Sequence, residues 1–308
     1  MKQIICVTIL LMSIPFFIVF FFFNQSNEIK KIEKKEALIV RVKRVSKEEI
    51  EKIEIEHYVV GVLAGEMPIT FHIEALKAQA VAARSYVLKR MESNKAEEYD
   101  VDDTVNNQVY LDDTYLRERW QSNYETNKKK LQQAVNDTKL QYIAYDGKIA
   151  DALFFSTSNG FTENSEEIFS FEVPYLRSVE SLWDEETSPV FYDTKTYNIN
   201  NFFTLLGITY SDKLEIEILK KSSTGRILLL KINGIEMEGD AFVDSLGLRS
   251  NDFEITKEDN IISIKTNGYG HGVGMSQYGA LGMAKEGYTY DEILKHYYNG
   301  ITIQQYEY

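Results

Sequence analysis

The sequence is poor in cysteine, in proline and in basic residues. Of its 308 residues one is a cysteine, and this residue, Cys6, lies in an N-terminal apolar run. The rest of the chain therefore has no disulfide, no thiolate nucleophile and no cysteine-based zinc site. The 4 prolines argue against long disordered linkers. The excess of 47 acidic over 34 basic residues gives a net charge of −13, which disfavours nucleic acid as a partner because phosphate binding requires basic patches.

A long hydrophobic run is present at the N-terminus. Residues 4–23 contain no charge, and the run is long enough to span a bilayer and longer than the apolar part of a typical signal peptide. No small-residue cleavage site follows it. The pattern predicts an uncleaved membrane anchor over residues 1–23 and a charged linker over residues 24–36, with a cleaved signal peptide as the alternative. Lysine and arginine are more numerous after the run, which by itself would leave the large domain in the cytoplasm.

The rest of the sequence mixes strand and helix patterns. Residues 37–45 alternate between apolar and basic, as a half-buried strand should. Residues 73–91 have a helical period, and their many alanines let other backbones approach closely, so a central helix is predicted. Residues 116–135 predict an exposed helix. Asp146-Gly147 and Asn233-Gly234 each lie between strand-like runs, which predicts two β-hairpins.

The order of these elements predicts an α+β fold of helices and antiparallel strands. The length allows one or two domains, and the sequence changes in character near Ser188. We therefore predict a core formed by residues 37–195 and 253–308, with a small inserted α/β subdomain over residues 196–252. The membrane anchor precedes this core.

One carboxyl group has the sequence context of a proton donor. Glu66 lies between Gly65 and a Met-Pro turn, next to the predicted small-residue helix. Partial burial there would raise the pKa of the carboxyl and keep it protonated near neutral pH, as a general acid requires. The alternative is that Glu66 only caps the N-terminus of a helix.

Three further groups are candidate binding residues. Arg84 lies mid-helix among alanines, where burial is unfavourable unless the guanidinium meets a carboxylate or a ligand oxygen; a solvated helix face is the alternative. A strand ending in FFSTSNG presents polar groups that can hold sugar hydroxyls, although such a turn can also be purely structural: Ser156, Thr157, Ser158 and Asn159.

The third group lies in NGYGHGVGMSQYGALG, whose glycines permit close backbone approach to a ligand. Its polar side chains are His271, Ser276, Gln277 and Tyr278. The spacing matches neither a dinucleotide-binding nor a phosphate-binding glycine loop. A lone histidine in such a loop is more often a structural hydrogen-bonding residue than a ligand. The histidines of the chain show no HExxH spacing, so a zinc hydrolase has little support.

Six blocks of the sequence resemble one known family. In order, they are GEMP, EALKAQAVAARSY, FFSTSNGFTEN, VPYLRSV, LGLRS and GHGVGMSQYGALGMA. Together they resemble stage II sporulation protein D and the related amidase enhancers, over nearly all of the chain after the anchor. The resemblance implies a septal, membrane-anchored lytic transglycosylase acting in engulfment. Such an enzyme cleaves the bond between N-acetylmuramic acid and N-acetylglucosamine in glycan strands stripped of stem peptides, and leaves a 1,6-anhydro product.

The resemblance also implies roles for particular residues. Glu66 in GEMP corresponds to the catalytic glutamate, and Arg84 to a functionally important arginine. Residues 174–177 correspond to a Pro-Tyr-Leu-Lys stretch, so we expect Tyr175 and Arg177 to bind substrate, although arginine here replaces a point charge with a planar fork. Some clostridial members bind zinc through a histidine and cysteines, but the corresponding segment here reads NNQVYLDD. We therefore expect no metal and no cofactor.

The implied chemistry requires one acid, because the C6 hydroxyl of the sugar replaces the attacking water that other glycosidases position with a second carboxylate. The resemblance places the large domain outside the cytoplasm, which overrides the charge count around the anchor. It implies peptidoglycan strands, an amidase and a multispanning membrane protein of the engulfment machinery as partners. A non-catalytic module that stimulates an amidase is the main alternative, and a metal-dependent hydrolase is a weaker one.

Overall fold

The computed structural model describes residues 37–307, so the predicted anchor and its linker lie outside the described residues. The described part combines helices with short sheets of mainly antiparallel strands, which confirms the α+β prediction. Within residues 37–307, none of the helices has the length and hydropathy needed to cross a membrane.

The second helix is the longest, with 21 residues. The bounds of the helices are α1 (Ile55–Glu66), α2 (Ile73–Ser93), α3 (Asp113–Trp120), α4 (Tyr124–Asp137), α5 (Ser165–Phe169), α6 (Trp183–Thr187), α7 (Ile199–Leu205), α8 (Gly239–Leu246), α9 (Gln277–Lys285) and α10 (Tyr290–Tyr297).

The strands form small sheets. Their bounds are β1 (Ile39–Arg44), β2 (Glu49–Glu54), β3 (Val101–Asp102), β4 (Gln141–Tyr145), β5 (Lys148–Ile149), β6 (Phe154–Phe155), β7 (Tyr192–Asn198), β8 (Ile216–Lys221), β9 (Ile227–Ile232), β10 (Ile235–Glu238), β11 (Phe253–Glu258), β12 (Ile261–Asn267), β13 (Met275–Ser276) and β14 (Thr302–Gln305). The sheet orders are β2-β1-β3, β14-β4-β5, β11-β12-β7, β10-β9-β8 and β13-β6. The β1–β3 and β6–β13 pairs are parallel, and the others are antiparallel.

Both predicted hairpins are present. Asp146 and Gly147 connect β4 to β5, and Asn233 and Gly234 connect β9 to β10, with positive φ at all four residues. Such backbone angles match the twist of a two-residue hairpin. The single helix predicted over residues 116–135 is wrong, because Gln121, at φ 46° and ψ −118°, ends α3 and a turn separates it from α4.

The long helix α2 confirms the helix predicted from residue 73 onward, and its alanines are buried. It packs against α1, α4, α9, α10 and β4, so it is central to the larger hydrophobic core. Gly61 and Gly65 of α1 lie against the segment 109–111. A Cβ at Gly65 would collide with the Val109 carbonyl oxygen, and one at Gly61 would collide with the Tyr110 ring. This close approach brings the backbone of Val109 to the end of α1.

A second hydrophobic core lies apart from the first. Its buried residues come from α7, β9, α8 and the β7–β12–β11 sheet, between Ile199 and Ile264. Phe253 of β11 and Ile262 and Ile264 of β12 belong to it, since β12 pairs with both β11 and β7. This core therefore extends beyond residue 252, where the sequence predicts that the insertion ends. The Gly268 N–H donates to the Phe191 carbonyl at 2.8 Å, so the chain enters and leaves this part at one place.

Candidate active site

A pocket of about 470 Å³ brings together three of the predicted motifs. Glu66 at the end of α1, Ser156 after β6 and His271 in the glycine loop (residues 268–274) all line it. The residues not singled out in the sequence include Tyr86 and Arg90 of α2, the loop 105–107, Phe169 and Tyr269. Among the lining residues described, Glu66 carries a carboxyl group and Arg90 carries a guanidinium group.

Glu66 has the environment that a proton donor needs. It is the last residue of α1, so it does not cap a helix N-terminus. Its Oε1 accepts a hydrogen bond from the Val109 N–H at 2.7 Å. Burial raises the pKa of the Glu66 carboxyl, and the Val109 hydrogen bond only partly opposes that effect. The Glu66 side chain is therefore partly shielded from water, although it still faces the pocket.

Arg84 does not contact the pocket. Its side chain is fully buried, and its Nη2 lies 2.5 Å from Glu56 Oε2, while Nη1 donates to the Gln141 carbonyl at 3.0 Å. The Glu56 carboxylate also accepts from the Leu140 N–H. The guanidinium thus joins α1, α2 and the start of β4. These contacts argue against the predicted substrate-binding role and favour a structural one.

The STSNG turn is mostly structural. Ser156 lines the pocket, whereas Thr157 and Ser158 are fully buried. Thr157 Oγ1 lies 2.8 Å from Ser188 Oγ. Asn159 donates through Nδ2 to Asp252 Oδ2 at 2.8 Å. Of the four predicted side chains, Ser156 alone belongs to the pocket lining described here.

Two of the predicted serines, Ser158 and Ser276, donate their hydroxyl groups to a buried carboxylate that the sequence did not reveal. Asp184 accepts hydrogen bonds from the hydroxyls of Ser158, Ser181 and Ser276 and from the Ser158 N–H. Burial raises the pKa of its carboxyl, against these hydrogen bonds. Asp184 lies in α6, and its donors come from the STSNG turn, from Ser181 just before α6 and from the start of α9, so Asp184 holds these segments together. Ser276 therefore supports the site rather than lining it.

The glycine loop packs against other segments of the protein rather than leaving space for a ligand at every glycine. A Cβ at Gly272 would lie 2.8 Å from Glu163 Cγ and 3.0 Å from Arg226 Cζ, and φ there is 84°. His271 Nδ1 accepts from the Val273 N–H at 3.0 Å, and its ring packs near Phe155 and Phe169. Burial, with the nearby Arg226 charge, lowers the pKa of His271 to about 4. The residue is nevertheless exposed to solvent, and its ring forms part of the pocket lining.

The remaining predicted residues lie outside the pocket lining. Gln277 is buried in α9, and Tyr278 packs edge-on against Phe71 with ring centres 5.0 Å apart. Arg177 pairs with Glu166 at 2.5 Å. The Tyr175 hydroxyl accepts from the Asp151 N–H at 2.8 Å, which links Tyr175 indirectly to Arg90.

Arg90 and Tyr86 form the wall of the pocket contributed by α2. The Arg90 guanidinium lies over the Tyr86 ring, 4.5 Å from its centre, and Nη2 is 3.0 Å from Asp151 Oδ2. The Tyr86 hydroxyl accepts from Asn107 Nδ2 at 3.0 Å. The two side chains are four residues apart, and an aromatic residue followed by arginine at this helical spacing is the signal that could have identified them. Across residues 37–307, no three His, Cys, Asp or Glu side chains are grouped as a metal site.

Known proteins resemble this chain along most of its length. The profile of the stage II sporulation protein family (SpoIID) matches residues 43–145. Stage II sporulation protein D of Bacillus subtilis is 42% identical over 271 residues, covering 86% of this chain and 79% of that protein. The same protein of Bacillus amyloliquefaciens is 41% identical over 277 residues, covering 88% and 80%. The amidase enhancer of Bacillus subtilis is 30% identical over 300 residues, covering 80% of this chain and 40% of that protein. The chain therefore belongs to the stage II sporulation protein D family.

Proposed function

We propose that this chain is a lytic transglycosylase that cleaves peptidoglycan glycan strands during sporulation. The observation that carries the proposal is the state of Glu66: a carboxyl with a raised pKa, lining a pocket in which it is the sole carboxyl group described. Enzymes that activate water need a second carboxylate for the far face of the sugar. A single acid suffices when the attacking group is a hydroxyl of the sugar itself.

The proposed reaction uses Glu66 twice. The protonated carboxyl donates to the glycosidic oxygen O4, which joins C1 of N-acetylmuramic acid to C4 of N-acetylglucosamine, and the C1–O4 bond breaks. The C6 hydroxyl oxygen of the muramic acid then bonds to C1, and its proton returns to the Glu66 carboxylate. The products are a 1,6-anhydro end and a free O4 hydroxyl. Because Oε1 accepts from the Val109 N–H, the transferable proton belongs on Oε2.

The proposed setting is the extracytoplasmic face of the sporulation septum, with the chain held there by an N-terminal anchor. The names of the relatives support the role in sporulation. An amidase that removes stem peptides would supply the substrate, and a multispanning membrane protein is proposed as a further partner in engulfment.

The test is product analysis on two proteins. Full-length wild-type protein and the Glu66→Gln variant, purified in mild detergent, are incubated with glycan strands freed of stem peptides. Mass spectrometry should find 1,6-anhydro ends with the wild type. The variant should be slower by about 10²–10⁴-fold, the usual contribution of a general acid, and should still bind strands in a sedimentation assay. Turnover by the variant at a rate near that of the wild type would refute the assignment of Glu66.

A second candidate function is stimulation of an amidase without catalysis. The similarity to an amidase enhancer favours it. In that case the wild type binds strands and accelerates a peptidoglycan amidase, but it produces no anhydro ends, and Glu66→Gln has no effect on the stimulation.

A further inference from the structure

We propose that Arg90 binds the lactyl carboxylate of N-acetylmuramic acid and so selects strands without stem peptides. This inference rests on the proposed function. Each muramic acid carries a lactyl group on O3. On a stripped strand the group ends in a free carboxylate, whereas on a peptide-bearing strand the same carbon is an amide. A residue that recognises the negative charge therefore distinguishes the two substrates.

Arg90 has the position and charge for this contact. It lines the same pocket as Glu66, and no other arginine or lysine is among the lining residues described. Arg84 and Arg177, the arginines singled out in the sequence, are paired elsewhere with Glu56 and Glu166. A carboxylate bound near Glu66 would thus meet Arg90.

The ion pair with Asp151 orients Arg90 and leaves part of its guanidinium outside that pair. Asp151 engages Nη2 with both oxygens, at 3.0 and 3.3 Å. A guanidinium has five N–H groups, so the donors on Nε and Nη1 are not held by Asp151. The Tyr86 ring covers one flat face of the guanidinium, which favours approach of a ligand along its edge. A carboxylate binds to that edge, in the paired geometry that arginine prefers.

The negative charge of the whole chain favours a local cation in the pocket. The protein has a net charge of −13, and a stripped glycan strand is a polyanion with one carboxylate on every second sugar. The overall field therefore repels the substrate. A guanidinium inside the pocket supplies a favourable contact at the place where one carboxylate must come to rest.

The experiment compares two strands that differ in this charge. Stripped strands are used as they are, or after carbodiimide coupling with methylamine, which converts each lactyl carboxylate into a small neutral amide. We expect the wild type to prefer the carboxylate strands by about 10- to 100-fold in kcat/KM, mostly through KM, the usual range for a hydrogen bond to a charged group. Arg90→Gln should lose this preference, because its kcat/KM should fall much more on the carboxylate strands than on the amide strands. Arg90→Lys should keep part of it.

The chain offers a matched control. Arg117 lies over the Tyr124 ring, 4.0 Å from its centre, and pairs with Glu125, as Arg90 does with Tyr86 and Asp151, but it is on α3 and outside the pocket. Arg117→Gln should retain the full preference. Thermal unfolding of each variant shows whether it is folded, and the comparison of the two strands on the wild type requires no variant.

The outcomes separate this inference from the proposed function. Equal cleavage of both strands by the wild type, or a preference that persists in Arg90→Gln, overturns the role of Arg90. If no strand is cleaved, the proposed activity fails, and the inference is then judged by binding of the same two strands. A preference for carboxylate strands in binding that Arg90→Gln abolishes supports it, and equal binding overturns it.

Discussion

At the scale of single residues, ionising Glu66 is unfavourable for two reasons that act together. The side chain is partly buried, which raises its pKa. It is also the last residue of α1, where the negative end of the helix dipole disfavours a carboxylate. The Val109 N–H opposes both effects. The local structure therefore favours the protonated form at pH values at which an exposed glutamate is ionised.

The pH dependence of the rate should report this raised pKa. Protonated Glu66 is the active form, so kcat/KM should be constant below its pKa and fall about tenfold per pH unit above it. The midpoint should lie above the ordinary glutamate value of about 4.3. His271 does not supply this limb, because its pKa is lowered to about 4. Rates measured from pH 4 to 8 should give the same midpoint for wild type and His271→Gln. A midpoint that moves with His271 would contradict the assignment.

Single residues also show where sequence reasoning reaches its limit. One residue from each of the GEMP, STSNG and glycine-loop motifs lines the same pocket: Glu66, Ser156 and His271. Arg84 and Arg90 are six residues apart on α2, which is a rotation of about 240° around the helix axis. The sequence shows that both arginines are helical, but the direction each one faces depends on packing by distant segments. Only the structure shows that Arg84 meets Glu56 and that Arg90 meets the pocket.

At the scale of elements, the catalytic carboxyl depends on how α1 meets the segment 109–111. Gly65 lets the Val109 backbone lie directly against the helix, since a Cβ there would collide with the Val109 carbonyl oxygen. The same backbone residue donates to Glu66. The absence of a side chain at Gly65 therefore helps to set the pKa of the residue that follows it.

Gly65→Ala should raise the pH at which kcat/KM begins to fall. The added methyl group pushes the Val109 backbone away and lengthens the hydrogen bond that lowers the pKa of Glu66. The overpacking should also lower the free energy of unfolding by about 1–3 kcal/mol. The pH profile of kcat/KM and urea denaturation measure the two effects. Gly61→Ala is the control: it is expected to destabilise the protein through Tyr110 and Leu111, and to leave the limb nearer its wild-type position. Equal shifts in both variants would contradict a specific role for Val109.

Elements with strong local signals were predictable, and those set by distant contacts were not. The hairpins at Asn233-Gly234 and Asp146-Gly147 follow from two residues each, and α2 follows from its period. The break between α3 and α4 at Gln121 contains no glycine or proline, so the sequence does not indicate it. The glycine loop was interpreted as a ligand cradle, whereas at Gly272 it approaches a buried ion pair of the protein. The many glycines of a loop indicate that its backbone lies close to another group, but they do not show whether that group is a ligand or the protein.

At the scale of the whole molecule, that ion pair connects the two hydrophobic cores to the pocket. Arg226 precedes β9 of the second core, and its Nε lies 3.1 Å from Glu163 Oε1, with both side chains fully buried. Arg226 Nη1 also donates to the Gly270 carbonyl at 2.8 Å and to Asn251 Oδ1 at 3.1 Å. Burial raises the pKa of the Glu163 carboxyl in spite of the nearby guanidinium. The pair therefore links distant segments at a considerable desolvation cost.

Removing one partner of this pair should destabilise the molecule more than removing both. Arg226→Met leaves Glu163 buried without its cation and should lower the free energy of unfolding by about 3–5 kcal/mol, whereas adding Glu163→Leu should restore much of that loss. Urea denaturation of the two variants measures the difference. Because Gly270 lines the pocket, both variants should also bind glycan strands more weakly, including the one whose stability is restored. If the double variant is as unstable as the single one, the stability comes from the hydrogen bonds of Arg226 to Gly270 and Asn251 rather than from compensation of the Glu163 charge.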